Sequence, residues 1–241
     1  MIVLWAGLPL AHAGPAGLLQ EATPDSLPQG AYVPASDTPS RPNAWGLDVL
    51  ISNDGFGMGL FYRRAFSPDL FGFASLSISE SKEEREVERY DPFTGMTYVP
   101  GKLNRFFVIP LSVGIQQRVF REDILDTFRP YVTLGAGPTI VYAAPFTRIL
   151  RDVSGPRYET VEFFRSIGQG RAYYTASAFI GAGAHFGSEE GSLFGLNLRY
   201  YFTYLLDGGL ESAFDERTGE VVGRKTAFGG FFITFTVGVA Y

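Results

Sequence analysis

The sequence predicts an all-β fold, an eight-stranded antiparallel up-and-down transmembrane β-barrel. Three observations predict it. From Trp45 onward, apolar residues alternate with small or hydroxylated ones over eight successive segments. A strand places neighbours on opposite faces, so each segment has two unlike faces. The last segment, Phe231 to Tyr241, has the length of a tilted bilayer crossing, which takes roughly 9–11 residues. Finally, the links between segments alternate in length, except at the short first hairpin, and the long ones are charged.

Taken in order, the first strand puts Trp45, Leu47, Val49 and Ile51 opposite Gly46, Asp48, Leu50 and Ser52. Asn53-Asp54-Gly55 is a tight hairpin signal. The second strand sets Met58, Leu60 and Tyr62 against Gly57, Gly59, Phe61 and Arg63. After the turn residues Ser67-Pro68-Asp69, the third runs from about Phe71 to Ser79, with Ala74, Leu76 and Ile78 on its apolar face. Residues 80–104 are a long solvated loop, charged from Glu80 to Arg89, with strand extensions allowed at its base. The fourth strand carries Phe107, Ile109, Leu111, Val113 and Ile115 opposite Ser112, Gly114, Gln116 and Arg118. The fifth carries Val132, Leu134, Ala136, Ile140 and Tyr142 opposite Tyr131, Thr133, Gly135, Gly137 and Thr139.

A second long loop, 145–170, follows. The sixth strand alternates Tyr174 to Phe186 with Tyr173 to His185, and the seventh places Phe194, Leu196, Leu198, Tyr200 and Phe202 against Gly195, Asn197, Arg199, Tyr201 and Thr203. The third long loop is 207–225. The eighth strand, Phe231 to Tyr241, has apolar residues at every odd position and mostly small or hydroxylated ones at even positions. Closure requires this strand to pair with both the seventh and the first.

Alternation alone leaves open which face is inside. A soluble barrel turns its apolar face inward, and a membrane barrel inverts this. The second face here is Gly, Ser, Thr, Asn and an occasional Arg, with almost no Lys or Glu. A water-facing strand surface usually carries more charge. Small residues and a few charges suit the cramped interior of a narrow barrel, so the apolar face meets lipid. Tyr142, Tyr174, Tyr200, Tyr204 and Tyr241 fall where aromatic girdles lie at the membrane surfaces.

The chain has 46% apolar residues and no cysteine, which excludes wholesale disorder, a disulfide framework and any Cys metal site. A net charge of −5 argues against a nucleic-acid footprint. No run of 18 apolar residues exists, so no helix is expected to span a membrane. At the amino end, Ile2 to Leu10 is apolar and precedes Ala11-His12-Ala13, like a signal-peptide core with its cleavage site. Residues 1–13 are therefore expected to be a signal peptide. Its basic n-region is missing, which leaves the true start open. Residues 14–43 contain Pro15, Pro24, Pro28, Pro34, Pro39 and Pro42 and are expected to be a flexible segment ahead of a barrel over 44–241.

From Trp45 to Tyr241 the chain resembles the small eight-stranded bacterial outer-membrane barrels of the OmpA and OmpX kind. The resemblance rests on the strand count, the loop alternation and the aromatic-ended last strand. It implies residence in the bacterial outer membrane and contact with its lipid and lipopolysaccharide. It also implies insertion by the barrel-assembly machinery, whose terminal-strand signal usually ends in Phe where this chain has Tyr241. It is weak for function, because such barrels include adhesins, anchors and lipid-modifying enzymes.

Candidate chemistry is sparse. His185 is the one imidazole outside the signal segment. Outer-membrane lipid A deacylases resemble this in using His and Ser in the barrel wall, but their His-x-Ser spacing keeps both on one face. Here Ser188 and Glu189 follow three and four positions on. No catalytic site, metal site or cofactor is expected. Asp48, Arg63, Arg118, Arg199 and His185 all face inward by parity, and are expected to form an interior polar network, since unpaired charge there is costly. A lining for a narrow channel is the alternative. Pro110 and Pro138 each remove a ladder donor toward the outer ends of strands four and five. Outer-membrane palmitoyltransferases resemble this in admitting acyl chains at proline-marked gaps. Pro110, Pro138, Gly135 and Gly137 thus outline a possible lateral lipid groove. In the bland alternative, the prolines mark bulges and the interior glycines receive Phe61, Arg63 and Tyr201.

Overall fold

The two-residue period of the sequence becomes eight strands: β1 (Asn43–Ser52), β2 (Gly55–Ala65), β3 (Leu70–Ser81), β4 (Asn104–Arg118), β5 (Phe128–Pro145), β6 (Arg171–Phe186), β7 (Ser192–Thr203) and β8 (Gly230–Ala240). The computed structural model describes residues 41–82, 89–92, 95–121, 127–152, 155–187, 191–206 and 208–241. The expected signal peptide, most of the Pro-rich segment, Ser188, Glu189 and part of the Glu80–Arg89 stretch lie outside these residues.

The strands form one closed antiparallel barrel in which each pairs with its sequence neighbours and β8 returns to β1. The closing strand pairs with β1 from Ala44–Ala240 to Ile51–Ile233, and with β7 from Ser192–Val239 to Tyr201–Gly230. Closure leaves no open edge, which is the condition for strands in a lipid environment. The strand ends Ala65 and Leu70, Arg118 and Phe128, and Phe186 and Ser192 lie at one end of the barrel with the start of β1 and the end of β8, here the turn end. The loop end carries the hairpin at Asn53-Asp54 and the three long connections.

The outer face is apolar on all eight strands. Leu47, Met58, Leu76, Val113, Leu134, Ile180, Leu198 and Ile233 are each exposed, one from every strand. A continuous apolar surface around a whole barrel is far larger than the few hundred Å² that soluble monomers expose. It needs lipid against it, and the protein is a transmembrane barrel. Trp45, Tyr62 and Tyr241 are exposed toward the turn end, and Tyr174 and Tyr204 toward the loop end, as two girdles require.

Inside, the described side chains pack across the bore in layers. Toward the turn end it is polar. In the middle, Leu50, Phe73, Phe179, Tyr201 and Phe232 form an aromatic layer, with Phe73 and Phe179 ring centroids 5.8 Å apart. Toward the loop end, Phe106, Val108, Val141, Ala143, Leu205, Leu210 and Phe228 form an apolar cluster. The expectation that interior glycines receive Phe61, Arg63 and Tyr201 is corrected in detail. Gly46 and Gly238 do sit beneath the Phe61 ring, but Gly135 makes room for Phe73 and Phe179: a Cβ there would fall 2.6 Å from Phe179.

The prolines do not produce bulges. The β3–β4 ladder misses pairs between Leu76–Leu111 and Ser79–Val108, around Pro110, and resumes in the same register. The β4–β5 ladder likewise skips two pairs at Pro138 and resumes in register. A missing proline N–H removes hydrogen bonds without requiring an extra residue.

Candidate functional site

The polar half of the lumen holds most of the residues singled out in the sequence. Asp48 faces inward on β1, directly opposite Thr236 of β8. Thr236 Oγ1 donates to Asp48 Oδ1 at 2.6 Å, and Arg199 Nη1 meets Asp48 Oδ2 at 3.0 Å. Asn197 Nδ2 donates to Thr236 Oγ1 at 3.5 Å. The Arg199 guanidinium also lies 5.4 Å from the Phe179 ring centroid, which ties the polar half to the aromatic layer above.

A second group surrounds His185. Arg63 Nη1 is 2.7 Å from His185 Nε2, and Gln116 Nε2 is 3.1 Å from the same atom. The Tyr131 ring stacks on the imidazole with centroids 4.5 Å apart. A guanidinium can only donate, so Nε2 must accept, and the imidazole is neutral with its proton on Nδ1. Gly195 lies opposite His185 on β7, and a Cβ there would fall 2.7 Å from Nδ1. Only a glycine leaves room for the ring. Arg129, opposite His185 on β5, donates to the Gly187 carbonyl at 3.0 Å and helps close the turn end. Arg118 is buried at the last position of β4, and its backbone N–H is bonded to the Asp69 carbonyl at 2.7 Å.

The structure therefore brings Asp48 to Arg199 and Arg63 to His185. The cavity bounded by Asp48, Arg63, Gln116, Tyr131, His185 and Arg199 is about 30 Å³. That is room for about one water and not for a substrate. Gln116, Tyr131, Asn197 and Thr236 all complete these two groups. Each stands at an inward position in the sequence pattern, but the pattern says nothing about who meets whom. Among the described residues, no cluster of three His, Asp or Glu is arranged to hold a metal.

At the proline-marked wall, Gly137 packs directly on β4: a Cβ would fall 1.9 Å from the Leu111 carbonyl oxygen. The two strands stay in contact across the interrupted ladder. Pro110 borders a cavity of only about 10 Å³ within the lumen, with Ser77, Ser79, Val108 and Thr203.

The loop end is built rather than trailing. Residues 89–98 contain a short ribbon, Arg89–Asp91 with Met96–Tyr98. Residues 146–170 contain a longer ribbon, Thr147–Asp152 with Gly155–Thr160, followed by helix α1 (Phe163–Gly168). A third ribbon pairs Leu210–Phe214 with Val221–Lys225. Main-chain bonds join these connections: Leu103 N donates to the Ser212 carbonyl, and Phe146 N to the Leu103 carbonyl. Tyr158 packs on Phe214 at 4.9 Å and donates to the Glu216 carbonyl. Its phenol is held above its ordinary pKa, by desolvation first and then by the carboxylates of Glu216 and Asp215. Glu162 caps helix α1, accepting from Phe164 and Arg165 N–H, and these bonds hold its carboxyl below the usual range.

No protein-family model matches the chain, and no curated protein is similar to it in sequence. Solved structures similar to it include small outer-membrane barrels. The N-terminal barrel domain of Pseudomonas aeruginosa OprF is 12% identical with a TM-score of 0.40, over 83% of this chain and 98% of that one. Neisserial surface protein A is 11% identical with a TM-score of 0.42, over 83% and 95%. Ail of Yersinia pestis is 15% identical with a TM-score of 0.36, over 83% and 95%. The fold is that of the small outer-membrane barrels. It rests on the closed eight-strand topology and the lipid-facing surface, and the low TM-scores add nothing to it.

Proposed function

We propose that this is a bacterial outer-membrane barrel protein without enzymatic activity, whose working part is the loop-end platform. The observation that carries this is the contrast between a filled bore and an elaborated rim. Asp48–Arg199, His185 and the aromatic layer pack across the lumen, and the lumen cavities lined by described residues are about 30 and 10 Å³. A channel or an interior active site would need more space. Meanwhile the three long connections carry ribbons and a helix and are bonded to one another through Leu103, Phe146, Tyr158 and Ser212, and such ordered surface elements suit a binding role. The barrel anchors this platform among outer-membrane lipid and lipopolysaccharide after insertion by the barrel-assembly machinery, with the long loops outside the cell.

The test is made on whole cells and purified protein. The expected outcome is outer-membrane fractionation, a heat-modifiable folded band, protease cleavage of 146–170 and 204–229 from outside, and no single-channel conductance. A soluble, heat-insensitive protein would end the membrane assignment. Steady conductance would replace the anchor with a channel.

A further inference from the structure

Helix α1 lies against the outside of the wall. Ala144 shares the outward parity of Leu134 and Tyr142 on β5, yet it is fully buried. The second long connection folds back over this spot: Ser166 of α1, also fully buried, donates from Oγ to the Pro145 carbonyl at 2.6 Å. The phenol of Tyr142, an outward girdle residue, donates to the Ile167 carbonyl. The helix is thus held at the height of the loop-end aromatic girdle, where a membrane surface lies.

The helix has two unlike sides. An α-helix turns about 100° per residue, so Phe163, Ile167 and Phe164 fall within one arc of about 100°. Arg165 lies about 150° from the middle of that arc, and Ser166, against the wall, lies between the two. Phe163, Phe164 and Ile167 are all exposed, Phe164 at 78%. Arg165 is exposed as well, and Arg148 reaches the end of the helix, where its Nη2 donates to Gln169 Oε1 at 2.9 Å. Apolar side chains on one side and cations on the other suit a helix lying in a membrane surface, with the first among acyl chains and the second among anionic headgroups.

Phe163 fixes which side meets the bilayer. It is one wall of a groove of about 480 Å³ whose other apolar walls are Phe56, Met58, Ile78 and Phe107, outward residues of β2, β3 and β4. The apolar arc is therefore continuous with the lipid-facing wall. Glu80 and Arg105 also line the groove, one charge of each sign, so it exerts no net pull on a headgroup and takes hydrocarbon.

We propose that helix α1 lies in the plane of the outer leaflet and binds lipopolysaccharide there. Phe163, Phe164 and Ile167 sit among its acyl chains, one of which fills the groove, and Arg165 and Arg148 pair with its phosphates. The helix is then a foot that holds the second long connection down on the membrane, while the ribbon of Thr147–Asp152 with Gly155–Thr160 stands in water. This rests on the reading that the loop end faces outside the cell.

The chain has no cysteine, so a single one can be introduced for a spin label. F164C, E159C on the ribbon and L198C on the outer wall are each labelled in the full chain and refolded into phosphatidylcholine vesicles with and without lipopolysaccharide. With lipopolysaccharide, the ratio of oxygen to water-soluble nickel chelate collisions should be about tenfold higher at position 164 than at 159, or ~1.4 kcal/mol in local partitioning, and close to that at 198. R165E added to F164C should lower the ratio in lipopolysaccharide vesicles and leave it unchanged in phosphatidylcholine alone. A ratio at 164 equal to that at 159 overturns the foot, and an R165E effect that is the same in both vesicles overturns the phosphate pairing. Should F164C fail to give the heat-modifiable folded band, I167C carries the same test. These ratios do not depend on which way the barrel is inserted. On whole cells a membrane-impermeant maleimide should label E159C. Failure to label would overturn the outward loops and with them the lipopolysaccharide partner, whereas a low ratio at 164 would overturn the lipid contact of the helix alone.

Discussion

Toward the turn end of the lumen, Asp48, Arg63, His185 and Arg199 fill the bore with charge and hydrogen bonds. Toward the loop end, Phe106, Val141, Leu205 and Phe228 fill it with hydrocarbon. Both halves leave little void, yet they constrain the sequence differently. An ion pair in a confined bore is worth its cost only while both partners are present and well oriented. An apolar cluster asks for volume and shape, and accepts other residues that keep both. The polar half is therefore specific about identity, and the apolar half about size.

The largest effect should come from breaking the ion pair. Asp48 and Arg199 side chains are 4% and 13% exposed, so D48N leaves a guanidinium largely buried without its anion. The expected loss is about 3–5 kcal/mol, read from urea unfolding in lipid vesicles. D48L with R199M should restore most of it. A D48N barrel as stable as the parent would show that water reaches the polar half freely and would dissolve the contrast. A smaller effect is expected in the apolar half. Phe106 is fully buried and packs edge-on to Phe228 at 5.3 Å. F106L keeps the site apolar but removes part of the ring and leaves a small void, so its loss in the same unfolding assay should be about 1–2 kcal/mol, below that of D48N. A loss as large as that of D48N would mean both halves are equally exacting.

The smallest effect lies outside the lumen. The Glu162 carboxyl is depressed by its bonds to Arg165 and Phe164 N–H. A depressed carboxyl contributes while ionised, above its ordinary value, and that contribution fades as pH falls through the lowered one. Protease cleavage near Phe163–Gly168 should rise at acid pH, and E162Q should raise it at neutral pH and remove the dependence. Cleavage indifferent to both would show that the cap does not hold this helix.

Much of the wall was legible because its signal is local. A period of two marks a strand, and the chemistry of its two faces marks lipid and lumen. Asp48, Arg63, Arg118, Arg199 and His185 could be turned inward by parity alone. Their partners could not be assigned, because Asp48 meets Arg199 across the intervening β8, and the stagger between strands sets that meeting. Phe179 is on the inward side of the pattern, but nothing local says that it packs against Phe73 over Gly135. The loop ribbons were missed for another reason. Leu210–Phe214 and Val221–Lys225 are five residues each, too short for alternation to stand out, and they are held partly by bonds from Leu103 and Phe214 to other segments. Helix α1 has six residues, less than two turns, and carries no readable periodicity.

One consequence of closure remains. Asn43 N donates to the Tyr241 carbonyl at 3.1 Å, and Tyr241 N donates back to Asn43 at 2.8 Å, while Arg41 reaches the Ala240 carbonyl. The two ends of the wall are thus next-door neighbours, bonded like any other pair of adjacent residues across a ladder. As far as the wall is concerned, the order of its strands is a cycle. A short peptide joining 241 to 43, with a new opening between Asn53 and Asp54, would leave every wall pairing intact. Chain order still sets timing: β1 has no second neighbour until the eleven-residue β8 has been made.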